Sequence, residues 1–381
     1  MNLELTDEQR MIQAVAREFA EKEVRPIATA IDREARFPRD TVRRMGELGL
    51  MGIAIPEACG GSGGDTIAYV VALEEVAKAC ASHAAIMSVN NSLYCDPVFK
   101  FGTEEQKRRF LAPFASGEKL GCFSLTEPEA GSDASNQSTL APRDGDGYVL
   151  DGRKIFVTNG REAHAALVFA QTDRARRHRG VTAFLVEKET PGFTVVKTED
   201  KLGIRASDTA EFLFENCRVP CANRLGEEGQ GFKIAMSALD AGRIGIAAQA
   251  LGIAAAAAEA SVAYARERKS FGVPIGEHQM VQWMLADIAT GLEGARLLTW
   301  HAAWLKDAGR PFSAAASMAK LFAAEMAMKI ATDAIQVHGG YGFIKEYTVE
   351  RHFRDAKITQ IYEGTSEIQK LIIARHLLAA A

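Results

Sequence analysis

The sequence predicts an α+β multidomain chain: an N-terminal α-helical domain over residues 1–120, a middle antiparallel β-barrel or sandwich domain over 121–228, and a C-terminal four-helix bundle over 229–381. Two observations carry that division. Apolar residues recur at helical spacing up to about residue 120, switch to a period of two, and return to helical spacing from Gly231. The middle stretch also contains strand-like runs in series with no helical run between them, which excludes the alternation of a βαβ chain.

The first part opens on Thr6 and Gln9, spaced as a capping box, so a helix is expected from there. Residues 8–20, 66–77 and 104–111 all show helical spacing of apolar side chains. Gly60-Gly61-Ser62-Gly63-Gly64 interrupts them; it lacks the Lys-Ser/Thr ending of a phosphate loop and reads as a flexible turn. In the middle part, Tyr148-Val149-Leu150 and Lys154–Thr158 flank Arg153 and Asp151-Gly152, a hairpin signal. Strands follow at Ala166–Ala170, Val181–Val186, Phe193–Val196 and Ala210–Phe214. The last part contains long helical runs at about 231–265, 278–308, 312–337 and 366–379, with glycine punctuation and short connections.

With 381 residues and 47% hydrophobic content, the chain can bury sizeable cores. A net charge of −4 gives no general attraction to nucleic acid or an anionic membrane. The basic cluster Arg174, Arg176, Arg177, His178 and Arg179 reads as a solvated loop between two strands. The stretch Met1–Gln9 carries neither a basic nor an apolar targeting signature, so a soluble, cytoplasmic protein is expected. The most apolar window, Ile244–Ala258, contains Gln249 and is too short to span a bilayer. Six scattered cysteines include one close pair, Cys217 and Cys221, without histidine partners; free thiols are expected, and no metal site.

Fingerprints of Rossmann dehydrogenases, P-loop NTPases, zincins and serine hydrolases do not occur. The most informative segment is instead Ile361-Tyr362-Glu363-Gly364-Thr365-Ser366-Glu367. Ser366 and Gln369 read as a capping box, so a helix should start just after Gly364. Glu363 then projects from a glycine-permitted turn, suited either to a general base or simply to the positive end of that helix. If it removes a proton, the electrons must pass to a cofactor held without a Rossmann fingerprint. The loop Phe123–Asp133 offers small hydroxyls and exposed backbone, as an oxygen-rich ring requires and as a structural loop would share. Phe156–Thr158 sets an aromatic face beside a hydroxyl, within what could equally be an ordinary strand.

Phe123–Asp133, together with Arg354-Asp355 through Glu367, resembles the acyl-CoA dehydrogenase family of flavoenzymes. The similarity spans essentially the whole chain and includes the helical–β–helical order. Met87–Leu93 and Asp240–Gly252 look most like the short-chain, butyryl-CoA branch. No Arg occurs in Ser88–Leu93, which disfavours a dicarboxylic acyl group such as glutaryl.

The resemblance implies FAD, the α,β-dehydrogenation of a short-chain acyl-CoA, straight or branched, and an electron-transfer flavoprotein as acceptor. It also implies a homotetramer built as a dimer of dimers. Glu363 matches the base. Phe123, Leu125, Thr126 and Ser132 match flavin contacts, with Ser132 also near the substrate. Phe156, Val157 and Thr158 match the flavin's reactive edge, where many relatives have Trp in place of Phe156. Arg268, Phe271 and Gln279 match a segment that reaches a neighbouring subunit's FAD. Gln336, Val337, Gly339 and Gly340 match the adenosine-side loop, and Thr365 and Glu367 stand with the cofactor contacts. Asp240, Arg243 and Gly364 match substrate contacts. A flavin oxidase, a nitroalkane oxidase and a nucleic-acid-associated flavin protein are the alternatives. The nitroalkane branch uses Asp where this chain has Glu363, and the last class conflicts with the absence of a basic extension.

Overall fold

The computed structural model describes residues 4–379. Residues 1–3, part of the stretch read for targeting signals, lie outside the described residues. The chain opens on α1 (Asp7–Phe19), α2 (Arg25–Glu34), α3 (Arg39–Glu47), α4 (Thr66–Ala79), α5 (Ala81–Ser88), α6 (Asp96–Phe101), α7 (Glu104–Phe110) and α8 (Ala112–Ala115). Thr6 and Gln9 cap α1 reciprocally, as their spacing predicts, and Thr103 with Gln106 does the same for α7. Between α5 and α6 a seven-residue π-helical turn, Val89–Cys95, carries Asn90, Asn91, Ser92 and Leu93 inward. Sequence periodicity missed α5 because all eight of its residues are buried, leaving no polar face to mark a helix.

The glycine-rich segment is not a flexible turn. The amides of Ser62, Gly63 and Gly64 donate to Gly52, Ile55 and Ile53 carbonyls at 2.8–3.0 Å, so the loop is bonded along its length. At Gly61 a Cβ would meet the Ile55 carbonyl oxygen at 2.1 Å, so that close approach requires glycine.

Eight strands follow: β1 (Gly121–Ser124), β2 (Arg143–Asp144), β3 (Gly147–Thr158), β4 (Ala165–Gln171), β5 (Val181–Glu187), β6 (Phe193–Thr198), β7 (Thr209–Pro220) and β8 (Arg224–Leu225). They form two four-stranded sheets, ordered β1-β4-β5-β8 and β2-β3-β7-β6. Side chains such as Val168, Phe184, Tyr148 and Phe212 interlock between them as a sandwich core. The other face of the first sheet packs on helices through Leu167, Phe169, Phe110, Phe114 and Ile234. Burial on both faces explains the unbroken apolar run of β4.

Two details correct the sequence reading. The β1–β4 pair is parallel, so the sandwich is not wholly antiparallel. Asp151-Gly152 is not a hairpin turn either: β3 runs through it, paired throughout with β7, and a register shift between Leu150 and Gly152 marks a bulge. Glycine is needed at 152 because φ is +150° and a Cβ would lie 2.6 Å from Thr139 Oγ1. The actual tight turn joins β2 to β3, where Asp144 pairs with Gly147.

The remaining helices are α9 (Gly231–Glu267), α10 (Gln279–Asp307), α11 (Ser313–His338), α12 (Val349–Thr359) and α13 (Ser366–Ala379), with a short β9–β10 ribbon (Lys269–Ser270 and Val273–Pro274) after α9. Four of the five coincide with the predicted runs; α12 is additional. Helix α9 packs against α4, α10 and α11 through alanines and glycines that allow close approach. Its length and composition would suffice to cross a membrane, but 72% of its most apolar window is buried inside the fold, so it is a core helix. The six cysteines are free, and no group of metal-ligating side chains forms among the described residues.

Candidate active site

The segment between α12 and α13 reverses direction through two successive left-handed residues, Glu363 (φ +54°) and Gly364 (φ +93°). For a residue with a Cβ this conformation costs about 1–2 kcal/mol, and the surroundings hold it. The Gln369 side-chain amide donates to the carbonyls of Glu363 (3.2 Å) and Gly364 (2.8 Å). Lys320 Nζ donates to the same Gly364 oxygen at 2.8 Å. The capping differs from the sequence reading. Thr365 Oγ1 accepts the Ile368 amide at 3.3 Å, whereas Ser366 Oγ donates to Glu325 at 2.6 Å. Thr365 is therefore the cap, and Gln369 anchors the loop rather than closing a capping box.

The Glu363 carboxyl turns inward against α9. A Cβ placed on Gly242 would lie 2.0 Å from Glu363 Oε2 and 2.8 Å from Leu93 Cδ2, so Gly242 leaves the space that the carboxyl fills. Although the residue as a whole is only half-buried, Oε2 is sealed from solvent and has no hydrogen-bond partner. Burial pushes the Glu363 pKa up to about 7, against the opposing pull of Lys320 and Arg243. Its backbone N–H has no acceptor among the described residues.

Next to Gly242 on α9, Arg243 is buried and paired with Asp240, which also accepts a hydrogen bond from Ser313 at 2.9 Å. Arg243 Nε finds no acceptor. Behind the carboxyl the face of α9 is filled. A Cβ on Gly245 would meet Ser88 Oγ and Tyr69 Oη at 2.5 Å, and Gln249 accepts the Tyr362 hydroxyl while donating to the Ala81 carbonyl at 2.8 Å.

The β wall stands opposite. Phe123 packs with Val89, Leu93, Ala238 and Leu239, which ties the Phe123–Asp133 loop to the Glu363 pocket through Leu93. Leu125 is buried, Thr126 half-buried, and Ser132 exposed beyond them. Lys154 fixes this loop from beneath. It is fully buried and donates to the Leu125 carbonyl (3.0 Å) and to Glu127 (2.8 Å). Phe156 sits at a second bulge of β3 with φ +57° and is 61% exposed, flanked by buried Val157 and half-buried Thr158.

A second cluster lies elsewhere. Arg268, Val337, Gly339 and Gly340 line an open cleft of about 550 Å³ with Tyr264, Ile275, His338, Tyr341 and Ile344. The Arg268 guanidinium lies 5.4 Å from the centre of the Tyr341 ring. Gly339 and Gly340 have no neighbour within 4 Å of a notional Cβ. Phe271 (97% exposed), Gln279 and Gln336 are on the surface and do not line the cleft. Thr365 caps α13 and Glu367 lies exposed in its first turn. Arg268 lies about 39 Å along α9 from Gly242 at the helical rise, so one chain does not bring the Arg268 group to its own Glu363.

Sequence reasoning passed over Lys320, Leu93, Tyr69 and the Lys154–Glu127 pair. Lys320 left a readable trace: it is a lone cation on a face of α11 otherwise made of Ala316, Ala319, Ala323 and Ala327.

Comparison with known proteins defines the family. The chain belongs to the acyl-CoA dehydrogenase family, whose N-terminal, middle and C-terminal domain models match residues 6–118, 122–217 and 229–378. It is 55% identical over 377 residues to the mitochondrial short-chain specific acyl-CoA dehydrogenase of Bos taurus, covering 99% of this chain and 92% of that one. Butyryl-CoA dehydrogenase from Megasphaera elsdenii superposes with a TM-score of 0.98 at 47% identity, covering 99% and 100% of the two chains. A chain from a study of the electron transferring flavoprotein of Acidaminococcus fermentans gives the same TM-score at 50% identity, again covering 99% and 100%. Within the family, then, this is an enzyme of the short-chain acyl-CoA dehydrogenase type.

Proposed function

We propose that this enzyme removes the α-proton and the β-hydrogen of a short-chain acyl-CoA, straight or branched, to give the trans-2-enoyl-CoA, with Glu363 as the base. One observation carries the assignment: the buried, unpartnered Glu363 carboxyl, raised to about 7, facing the space left by Gly242. A carboxyl that titrates near neutrality is ionised often enough to accept a proton and basic enough to hold it. The unbonded Glu363 N–H is a donor for the thioester oxygen as charge develops there.

The residues present suit FAD. Exposed Phe156 with Thr158, and the exposed backbone and hydroxyls of the Phe123–Ser132 loop, fit the ring system. Arg268 beside the open glycines 339 and 340 suits phosphate oxygens. Bound flavin would supply the acceptor for the β-hydrogen as hydride, and its ribityl hydroxyl a second donor to the thioester oxygen. The span between Gly242 and Arg268 supports sharing of FAD sites between subunits of a homotetramer, and an electron-transfer flavoprotein is the proposed acceptor of the electrons.

The filled face of α9 behind Glu363 favours a short acyl group, since Tyr69, Ser88 and Gln249 occupy the space a longer chain would need. On the outward side, half-exposed Phe232, Met236, Leu239 and Asp240 form a stripe that runs about 16 Å along α9 from Arg243 to Phe232. It ends at His178, whose ring lies 5.7 Å from Phe232. The neighbouring Arg174, Arg176, Arg177 and Arg179 make no ion pair among the described residues, so this loop offers unneutralised cations to the CoA phosphates rather than only a solvated turn. The burial of α9 supports a chain without membrane insertion.

The test is anaerobic bleaching of the purified protein's flavin by a series of acyl-CoA thioesters. Bleaching should be fastest with butyryl-CoA or a short branched homologue. Failure of every short thioester to bleach a fully loaded protein would refute the reading.

A further inference from the structure

We propose that Lys320 is the positioning residue of the active-site loop: from the buried face of α11 it grips the Gly364 carbonyl and sets its charge beside the Glu363 carboxyl, keeping that base available in its ionised form. Three observations support this. Lys320 has no exposed surface, so its ammonium is not held there by solvent. Nζ makes its 2.8 Å hydrogen bond to the residue immediately after Glu363, in a segment already forced into two left-handed conformations. It has no carboxylate within 4 Å among the described residues, which is unusual for a buried lysine and leaves its field directed at the loop.

The charged and titratable groups around Glu363 are few. Arg243 and Asp240 face it from α9, but Arg243 is already committed to Asp240. Tyr69 approaches from α4 and Tyr362 from the loop itself, both neutral hydroxyls held up by burial. Glu325 on α11 and Glu367 on α13 act on Lys320. Lys320 is therefore the principal cation acting on the base, in agreement with its place as the largest opposing influence on the Glu363 titration. Burial in turn brings Lys320 down to about 8, so it remains mostly charged at neutral pH.

The sign follows from Coulomb attraction. Removing the cation raises the Glu363 pKa further, by about one unit or more for an opposite charge at close range. At pH 7 a one-unit rise lowers the ionised fraction from about one half to about one tenth, roughly a five-fold loss of active base. Gln369 holds the same carbonyl without a charge, so the two functions of Lys320 are separable.

The experiment is an infrared pH titration of the FAD-loaded protein, following the carbonyl stretch of the protonated carboxyl by difference against Glu363→Gln. Lys320→Met is expected to move that titration upward by about one unit, and the alkaline-rising limb of flavin reduction with it. Lys320→Arg should keep both near the wild-type values, and Gln369→Leu should leave the titration in place while slowing reduction. An unmoved titration in Lys320→Met, or an equal shift in Gln369→Leu, would overturn the proposal. If Lys320→Met does not fold, an upward shift of one unit in Lys320→Arg does so. The kinetic half rests on Glu363 being the base. The infrared half does not, so failure of the reaction assignment and failure of the Lys320 role give different results.

Discussion

The Glu363 loop and the Arg268 cleft are both built from C-terminal helices, yet one is closed by its own chain and the other is open. Around Glu363 nearly every polar group is satisfied: Gln369 and Lys320 hold the backbone, Glu325 holds Ser366, and Asp240 holds Arg243. Glu363 Oε2, Arg243 Nε and Gln369 Oε1 are the buried exceptions there among the described residues, and the first two belong to the proposed substrate site. Around Arg268 the pattern is reversed. Arg268 makes no ion pair among the described residues, Phe271 is almost fully exposed, and the glycines face open space. A closed loop and an open cleft follow from the same helices. The first is expected to respond to mutation in chemistry and the second in assembly.

The largest effect should come from Glu363→Gln. Loss of a positioned base costs about 10²–10⁴ in rate, while the amide fits the same space and should leave FAD content normal. Anaerobic stopped-flow reduction by butyryl-CoA is the measurement, and near-normal reduction would remove Glu363 from its role. The same variant has a stability signature. Because the folded carboxyl titrates near 7 instead of near 4.5, folding holds its proton more tightly than the unfolded chain does. That contribution is present at low pH and is lost as pH rises through about 7. Glu363→Gln should therefore gain in melting temperature relative to wild type at pH 8 and show little gain at pH 5.

Arg268→Ala probes the open region. Losing a charge-assisted contact of about 1.5–3 kcal/mol should weaken FAD retention by roughly ten- to a hundred-fold and loosen subunit association with it. The flavin-to-protein absorbance ratio and light scattering read the two together. A monomer with full FAD would show that the cleft is not completed by a neighbour, and the contrast between the regions would collapse.

How much of each region was legible follows from the same contrast. Long α9, α10, α11 and α13 declared themselves because each keeps helical spacing over many turns, and the exposed motif residues could be matched one by one. The helix α5 and the π turn Val89–Cys95 could not be read, since a segment buried on all sides has no periodicity. Asp151-Gly152 misled because a bulge and a two-residue turn demand the same glycine, and only pairing across β7 separates them. Lys320 and Leu93 act through contacts distant in sequence, which no local pattern encodes, whereas Gln369 was legible locally but in the wrong role, as a cap instead of an anchor for the two preceding carbonyls.

The smallest effect is the most pointed test of the closed region. Gly242 and Glu363 converge on one space from different backbones: a Cβ at 242 would lie 2.0 Å from Oε2. Gly242→Glu alone should therefore be damaging, since it forces a second carboxylate into an occupied, buried site. In Glu363→Gly that space is vacated, and the remaining close neighbour, Leu93 Cδ2 at 2.8 Å, is the end of a side chain that can rotate. Helix α9 itself should tolerate the change, because replacing an interior glycine favours the helix by up to about 1 kcal/mol. The double variant Gly242→Glu, Glu363→Gly is thus expected to regain part of the activity lost by Glu363→Gly, with a shifted chain-length preference because the new carboxylate approaches from α9. Recovery should be modest, since Lys320 is positioned for the loop and not for the helix. Single-turnover flavin reduction, corrected for FAD content, is the measurement. If the double variant binds FAD and CoA yet shows no gain over Glu363→Gly, proximity of the two positions does not amount to a shared line of attack on the α-carbon.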